Sequence, residues 1–213
     1  GAIDQYYVGK DIGEIWAYET VGIFQTEADV AASANQDQLG AAWKAGDMQY
    51  ADLNKDDKIT PGVRTLDDHG DLRIVGNTTP RYSFGINGDI SYKGIGLNVF
   101  FQGVMKRDYL PDNGNWNAFY PYNDGHLEKY AISESWTETN RDAYFAAPTF
   151  RYNTKKNIHQ QSRYVQNASY IRLKNLSVSY QFPVKLIQKV RLNGAQIYFA
   201  GMNLWEATKM HKP

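Results

Sequence analysis

RYSFGINGDISYKGIGLNVFFQGVM, residues Arg81–Met105, alternates apolar and polar side chains on both sides of Lys93-Gly94. A period of two separates two unlike faces only when the chain is a β-strand. Because Lys-Gly interrupts the pattern for only two residues, the stretch predicts two antiparallel strands, 81–92 and 95–105, joined by a tight turn. The predicted apolar face carries Tyr82, Phe84, Ile86, Ile90, Tyr92, Leu97, Val99, Phe101 and Met105.

Three further segments predict strands. Residues 12–24 mix aromatic and β-branched residues, and residues 195–205 follow a turn-forming Asn-Gly pair. In residues 168–182 the apolar side chains change parity near Asn175. One extra residue in a strand, a β-bulge, returns such side chains to the same face, so the sequence predicts a bulge there.

The predicted connections alternate between long and short. Loops 25–80 and 106–166 are long, whereas Lys93-Gly94 has two residues. Since antiparallel neighbours reverse direction, short links gather at one end of the strands and long ones at the other, as in outer-membrane barrels. The sequence predicts an all-β fold, a portion of an antiparallel transmembrane β-barrel with about five long strands and long extracellular loops. Because five strands cannot close such a barrel, either further strands complete it or the sheet is soluble with covered edges.

The composition excludes several classes of protein. The 213 residues carry 23 basic and 23 acidic side chains, so no global field attracts nucleic acid. There is no cysteine, which excludes disulfides, thiolate metal sites and thiol nucleophiles. No apolar run approaches the roughly 18 residues of a membrane-spanning helix. This criterion does not detect the strands of a membrane barrel. The first ten residues lack signal-peptide features, which indicates a mature chain or a fragment of a longer one.

Four motifs occur in a fixed order along the chain. They are GDMQYADLNKDDKI at 46–59, IVGNTTPRYSFG at 74–85, YIRLKNL at 170–176 and GMNLW at 201–205. In this order and at these separations they resemble the C-terminal part of SusC/RagA-type TonB-dependent outer-membrane transporters of Bacteroidetes. The resemblance covers nearly the whole chain.

The resemblance implies a plugged barrel of about 22 strands in the bacterial outer membrane. Such transporters import glycans or peptides together with a SusD-like surface lipoprotein and are energised by TonB. The plug that contacts TonB and the family's closing strand are absent from this sequence. The apolar face of the hairpin is then predicted to meet outer-membrane lipid, and the polar face of strand 168–182, with Arg172 and Lys174, the lumen.

One loop resembles the start of a calcium-binding EF-hand loop. Asp52, Asn54 and Asp56 place oxygen side chains at alternate positions, and Lys58 adds its carbonyl oxygen. The position that is Gly in EF-hand loops is Asp57 here, and the position of the final carboxylate is apolar. The alternative is a polar turn with Asx hydrogen bonds and no ion. Structural Ca²⁺ is therefore a hypothesis that calorimetric titration tests, because an absence of heat would exclude it.

A second loop, NGNWNAFYPYND at 113–124, interleaves aromatic side chains with amides and a carboxylate. Aromatic rings stack on sugars and peptides while the polar groups accept and donate hydrogen bonds. The candidate substrate-binding residues are Trp116, Phe119, Tyr120 and Tyr122. The alternative is that this loop packs on its neighbours or contacts the lipoprotein.

Nothing in the sequence indicates catalysis. No nucleophile elbow, phosphate loop or zinc motif is present, and the four histidines are widely separated. We therefore expect part of a transporter and not an enzyme. The alternative is a soluble extracellular carbohydrate-binding β domain that uses the same aromatic loop. The two differ in whether the apolar face of the hairpin meets lipid or a second sheet.

Overall fold

The computed structural model describes residues 1–111, 129–148 and 155–210. Within these ranges the helices are α1 (Glu27–Ala32), α2 (Lys129–Glu134) and α3 (Val184–Ile187). The strands are β1 (Glu14–Tyr18), β2 (Thr20–Ile23), β3 (Met48–Tyr50), β4 (Leu72–Asn77), β5 (Tyr82–Tyr92), β6 (Ile95–Met105), β7 (Asp108–Tyr109), β8 (Gln166–Asn167), β9 (Tyr170–Gln181) and β10 (Gln196–Thr208). None of the helices in the described ranges has the length and apolar character needed to cross a membrane.

The chain divides into two compact units, whereas the sequence predicts one barrel portion over residues 1–213. The sheet unit comprises Pro80–Asp108 and the described part of Asn167–Lys212. The loop unit comprises Gly1–Thr79 and the described part of Tyr109–Gln166.

The sheet unit is a four-stranded antiparallel sheet in the order β10-β9-β6-β5. Strands β5 and β6 begin and end within one residue of the predicted 81–92 and 95–105. Strands β9 and β10 overlap the predicted 168–182 and 195–205, and β10 continues three residues further. The alternating pattern located these strands because one face of each is uniformly apolar.

The turn of the central hairpin has two residues, as predicted. Lys93 and Gly94 have φ values of 48° and 85°, and Tyr92 pairs with Ile95 across the turn. Two positive φ angles are typical of a type I′ turn, whose twist matches that of the flanking strands. The Gly94 carbonyl also accepts a hydrogen bond of 2.7 Å from the Gln181 amide of β9, which ties the turn to the next strand.

The predicted bulge near Asn175 is confirmed. Phe100 of β6 pairs with Asn175 and Phe101 pairs with Leu173, so Lys174 is an extra residue in β9. The bulge lets the odd-numbered apolar residues before it and the even-numbered ones after it share a face.

The predicted long strand over residues 12–24 is wrong. It is divided into β1, which pairs with β4, and β2, which pairs with β3 in a separate sheet. The Tyr18 amide donates to the Gln160 carbonyl at 3.0 Å, and the Thr20 amide donates to the Ser162 hydroxyl at 2.9 Å. Because these contacts take up the amides at the junction, no single ladder runs through the segment.

The predicted loops 25–80 and 106–166 contain most of a hydrophobic core, which the sequence did not indicate. Several of its members lie outside any strand, and these scattered positions have no periodicity that a pattern search detects. The core of the loop unit includes Ile3, Tyr18, Ile23, Leu39, Met48, Tyr50, Ile59, Leu72, Trp136, Phe145 and Tyr164.

A buried ion pair crosses the loop unit. The Lys156 ammonium donates to the Asp47 carboxylate, and both side chains are almost fully buried, at 3% and 0% exposure. The same carboxylate accepts hydrogen bonds from the Asn157 amide at 2.8 Å and the Lys44 backbone at 2.9 Å. Lys156 also donates to the Ala42 carbonyl at 2.8 Å, so the pair is well satisfied.

Candidate functional site

The two faces of the sheet unit differ sharply in polarity. Cross-strand pairing places most of the apolar residues of the four strands on one side, where Ile86 is 58% exposed, while Phe100, Val104, Tyr198 and Met202 lie on the other. This apolar face carries no charged side chain within the four strands. It comprises Tyr82, Phe84, Ile86, Ile90, Tyr92, Ile95, Leu97, Val99, Phe101, Met105, Ile171, Leu173, Leu176, Val178, Tyr180, Ile197, Phe199 and Trp205, with Gly88, Gly103, Gly201 and Ala207 between them.

Tyrosine and lysine mark both ends of the apolar face. The Lys106 ammonium lies 5.9 Å from the centroid of the Tyr82 ring, at the start of β5. At the other end, the Lys93 ammonium lies 5.1 Å from the centroid of the Tyr92 ring. Tyrosine with an adjacent lysine suits a boundary between an apolar layer and water, since each side chain has an apolar body and a polar tip.

The opposite, polar face is hydrated and internally paired. Arg172 donates to Glu206 across β9 and β10, with Nε 2.7 Å from the carboxylate, and its guanidinium lies over the Tyr170 ring. Asn98 donates to the Asp89 carboxylate at 2.6 Å. Lys174 is the bulged residue and lies outside the regular alternation. The Arg172–Glu206 ion pair and the hydrogen-bonded Asp89 suit a wetted wall.

The calcium-like loop has the geometry of a tight Asx turn. Asp52 accepts backbone hydrogen bonds from Lys55 at 2.6 Å and Asp57 at 2.9 Å, and Asp56 accepts one from the Lys58 amide at 2.9 Å. Asn54 accepts one from the Asp56 amide at 3.1 Å. Asp57 has φ 60°, the left-handed conformation that Gly adopts at this position of an EF-hand loop.

This geometry leaves calcium binding untested. Backbone N–H groups occupy oxygens of the three side chains Asp52, Asn54 and Asp56, as in the Asx alternative. Among the described residues, no group of three or more His, Cys, Asp or Glu side chains is arranged to hold a metal ion. The assignment of Ca²⁺ to Asp52, Asn54, Asp56 and Lys58 stays a prediction.

The predicted aromatic substrate site lies outside the described residues. Trp116, Phe119, Tyr120 and Tyr122 all belong to the range 112–128. Their assignment to ligand binding therefore also stays a prediction.

The loop unit contains a pocket that the sequence analysis missed. Its volume is about 500 Å³, and its walls include Trp16, Tyr18, Arg64, Leu72, His159 and Gln160. The walls come from four distant stretches of chain, since Gln38 and Leu39 also contribute, and no periodic pattern connects them. The one usable signal was the pair of aromatic residues at alternate positions, Trp16 and Tyr18.

Burial raises the pKa of a tyrosine that lines this pocket. The Tyr18 ring packs 5.4 Å from Tyr50 and 5.9 Å from His159, centroid to centroid. Desolvation raises the pKa of Tyr18 to about 12, against a partial opposing effect of Arg64. Arg64 is itself paired with Asp4 at 2.6 Å. The pocket thus presents aromatic surface beside an ion-paired guanidinium.

Comparison with known proteins identifies the relatives of the chain. No family model matches it. It is 29% identical over 200 residues to TonB-dependent receptor P3 of Formosa agariphila, which covers 92% of this chain and 18% of the receptor. It is 25% identical over 209 residues to TonB-dependent receptor P26 of the same organism, which covers 97% of this chain and 19% of that receptor.

The chain is similar in sequence to TonB-dependent receptors. The fold agrees, because the structure of the RagAB peptide transporter superposes with a TM-score of 0.62 at 20% identity, over 93% of this chain and 19% of that one. The RagAB peptide importer in the "open-open" state gives 0.59 at 19% identity, over 96% and 20%. The resemblance to SusC/RagA-type transporters that four motifs indicated is confirmed, as is an all-β portion of a barrel. The chain spans about one fifth of the length of these TonB-dependent receptors.

Proposed function

We propose that this chain is a membrane-spanning part of an outer-membrane, TonB-dependent importer. The observation that carries the proposal is the apolar face, which is continuous over four strands and ends in tyrosine and lysine on both sides. Tyr82 and Tyr92 are ten residues apart, which corresponds to roughly 33 Å along a strand. A strand tilted near 45° then covers roughly 23 Å of the membrane normal, close to the apolar band of about 25 Å in outer-membrane barrels.

The polar face is then the wall of an aqueous lumen. It carries the Arg172–Glu206 ion pair and the Asp89 carboxylate, which accepts hydrogen bonds from Asn98 and Asn87, and such polar groups suit a wetted wall. In this proposal β5, β6, β9 and β10 supply structure, and ligand contacts come from the loops.

The transported ligand is proposed to be a glycan or a peptide, taken up with a SusD-like surface lipoprotein. The RagAB structures are named as those of a peptide transporter and importer, and the sequence relatives are named TonB-dependent receptors. These names support uptake driven through TonB. The names are those of receptors and transporters, which agrees with a chain that has no catalytic motif.

Neighbouring residues of β6 test the membrane assignment. Val99 lies on the apolar face and Asn98 on the polar face, and these 213 residues contain no cysteine. Any cysteine elsewhere in the full-length protein is replaced by serine before labelling. Val99→Cys and Asn98→Cys are made in the full-length protein, spin-labelled and reconstituted into lipid vesicles. We expect the label at position 99 to collide with dissolved oxygen, which concentrates in lipid, and the label at position 98 to collide with a water-soluble nickel chelate.

The matched pair makes the test decisive. Both labels sit on one strand, one residue apart, so differences in local backbone mobility are small. If position 99 is protected from both reagents, a second protein layer covers the apolar face and the soluble β domain is correct. If position 99 collides mainly with the nickel chelate, the proposal is wrong because that face is in water.

The aromatic loop tests the ligand proposal. We propose that Trp116, Phe119, Tyr120 and Tyr122 contact the imported ligand, since aromatic stacking suits both sugars and peptides. Trp116→Ala with Tyr122→Ala in the full-length protein should reduce uptake of its ligand at least tenfold while leaving membrane insertion unchanged, as judged by heat-modifiable mobility. The control is Tyr6→Ala, at an exposed tyrosine of the loop unit. Equal uptake by the double variant and the control would remove these residues from the binding site.

A further inference from the structure

The apolar face contains an open groove at the end of the sheet opposite the Lys93-Gly94 turn. Its volume is about 570 Å³, and it is lined chiefly by apolar side chains of the ends of the four strands. The residues that matter here are Phe84, Met105, Lys106, Ile171, Ala207 and Lys209.

Small residues create the groove. Phe84, Gly103, Ile171 and Ala207 form one row across β5, β6, β9 and β10 by direct pairing. The Phe84 ring lies over Gly103, where a Cβ atom would come within 2.2 Å of it. Ala207 fills little of the space beside Ile171. The result is a depression at this end of the face.

Two lysines flank this depression. Lys106 follows β6 directly, and Lys209 follows β10 directly, so both lie at the same end of the sheet. Both side chains are exposed, and neither forms a salt bridge within the described part of the chain. The Lys106 ammonium is on the apolar side, since it lies 5.9 Å from the Tyr82 ring. The lining also includes the polar residues Asn167, Ser169 and Thr208, so the groove is apolar at Phe84, Ile171 and Ala207 and positively charged at its mouth.

We propose that the groove binds an anionic membrane lipid, with an acyl chain against Phe84 and Ile171 and the lipid phosphate at Lys106 and Lys209. An acyl chain needs an apolar channel that opens to the membrane, and a phosphate needs cations at the level of the headgroups. The groove supplies an apolar channel and, at its mouth, two cations. The inference rests on the proposed function, because it requires the apolar face to lie in lipid.

Native mass spectrometry of the full-length protein in a neutral detergent tests the inference. The probes are dioleoyl phosphatidylglycerol, dioleoyl phosphatidylcholine and inorganic phosphate. We expect retention of phosphatidylglycerol over phosphatidylcholine, and about 30-fold weaker binding of phosphatidylglycerol in the variant Lys106→Gln with Lys209→Gln. Ala207→Phe keeps both charges but fills the groove, so it should also weaken binding of this lipid.

The control removes two charges at the other end of the sheet. Lys93→Gln with Lys185→Gln has the same change in net charge and should retain phosphatidylglycerol as the wild type does. Equal losses in both double variants, or inorganic phosphate competing as well as the lipid, would overturn the inference. If the spin-label pattern at positions 98 and 99 is as expected and the lipid still shows no preference, the groove inference fails while the membrane assignment stands. If the spin-label pattern fails, both fail.

Discussion

The loop unit and the sheet unit satisfy their backbone in different ways. In the sheet unit, ladders of β5, β6, β9 and β10 pair nearly every residue with a neighbouring strand. In the loop unit, the ladders β1–β4 and β2–β3 are short, and buried side chains supplement them. Gln36 accepts from the Tyr50 amide and donates to the Met48 carbonyl, and Asp71 accepts from the Leu53 and Thr60 amides. A buried backbone group needs a partner, and a fixed polar side chain can supply it where no strand does.

The two units also differ in where their apolar side chains go. The loop unit encloses its large residues, such as Phe145 at 1% exposure and Tyr164 at 2%. The sheet unit exposes most of its large apolar residues on one face, with Phe199 at 67% exposure. A contiguous exposed apolar surface of this extent marks an interface with lipid or protein. The loop unit is therefore stabilised from within, whereas the sheet unit depends on what covers its apolar face.

The largest expected effect breaks the loop unit alone. Lys156→Met keeps the length of the side chain but leaves the Asp47 carboxylate buried without its cation. Removing one partner of a buried pair costs about 3–5 kcal/mol. Hydrogen exchange followed by mass spectrometry should show a matching loss of protection in β3 and none in β5 and β6.

Two companions identify the cause of that loss. Lys44→Met removes an exposed lysine of the same loop and should change protection by less than about 0.5 kcal/mol. Asp47→Asn added to Lys156→Met removes the unpaired charge and should restore part of the protection. A loss as large in Lys44→Met, or no recovery in the double variant, would show that the buried pair is not what holds the loop unit together.

The sheet unit was predictable because its environment is simple. Each strand has one apolar face, so apolar side chains recur at every second residue. The strand bounds, the two-residue turn and the bulge at Lys174 follow from this pattern. The change of parity near Asn175 was enough to locate the bulge. The groove between Phe84 and Ile171 was not predictable, because its shape depends on which small residues meet across four strands.

The loop unit was not predictable because its contacts are distant and individual. Lys156 meets Asp47 across 109 residues, and Thr20 meets Gln161 across 141. A local sequence pattern contains no information about such distant partners. In the sequence, a polar residue that closes a turn cannot be distinguished from one that is exposed to solvent. The prediction of one strand over residues 12–24 failed for the same reason, since residues 160–162 divide it.

A smaller expected effect is a loss of stability of the loop unit at high pH. The Tyr18 phenol of β1 has a pKa raised to about 12 by burial, while an unfolded tyrosine has one near 10. Below pH 10 both states are protonated and the free energy of unfolding is unaffected. Between pH 10 and 12 the unfolded state loses the proton first, so stability falls as pH rises, by up to about 2–3 kcal/mol at pH 12.

Tyr18→Phe removes this ionisation while keeping the ring contacts with Tyr50 and His159. Urea unfolding followed by fluorescence of Trp16, Trp43 and Trp136, which all lie in the loop unit, measures the midpoint at pH 8 and pH 11.5. The wild type should lose more stability between these pH values than Tyr18→Phe does, and the exposed Tyr6→Phe should behave as the wild type. Burial also raises the pKa of Tyr144, so the variant should retain part of the alkaline loss. If Tyr18→Phe loses as much stability at high pH as the wild type does, the phenol is hydrated in the folded pocket. This wall of the loop unit would then be open to water, as the apolar face of the sheet unit is open to its surroundings.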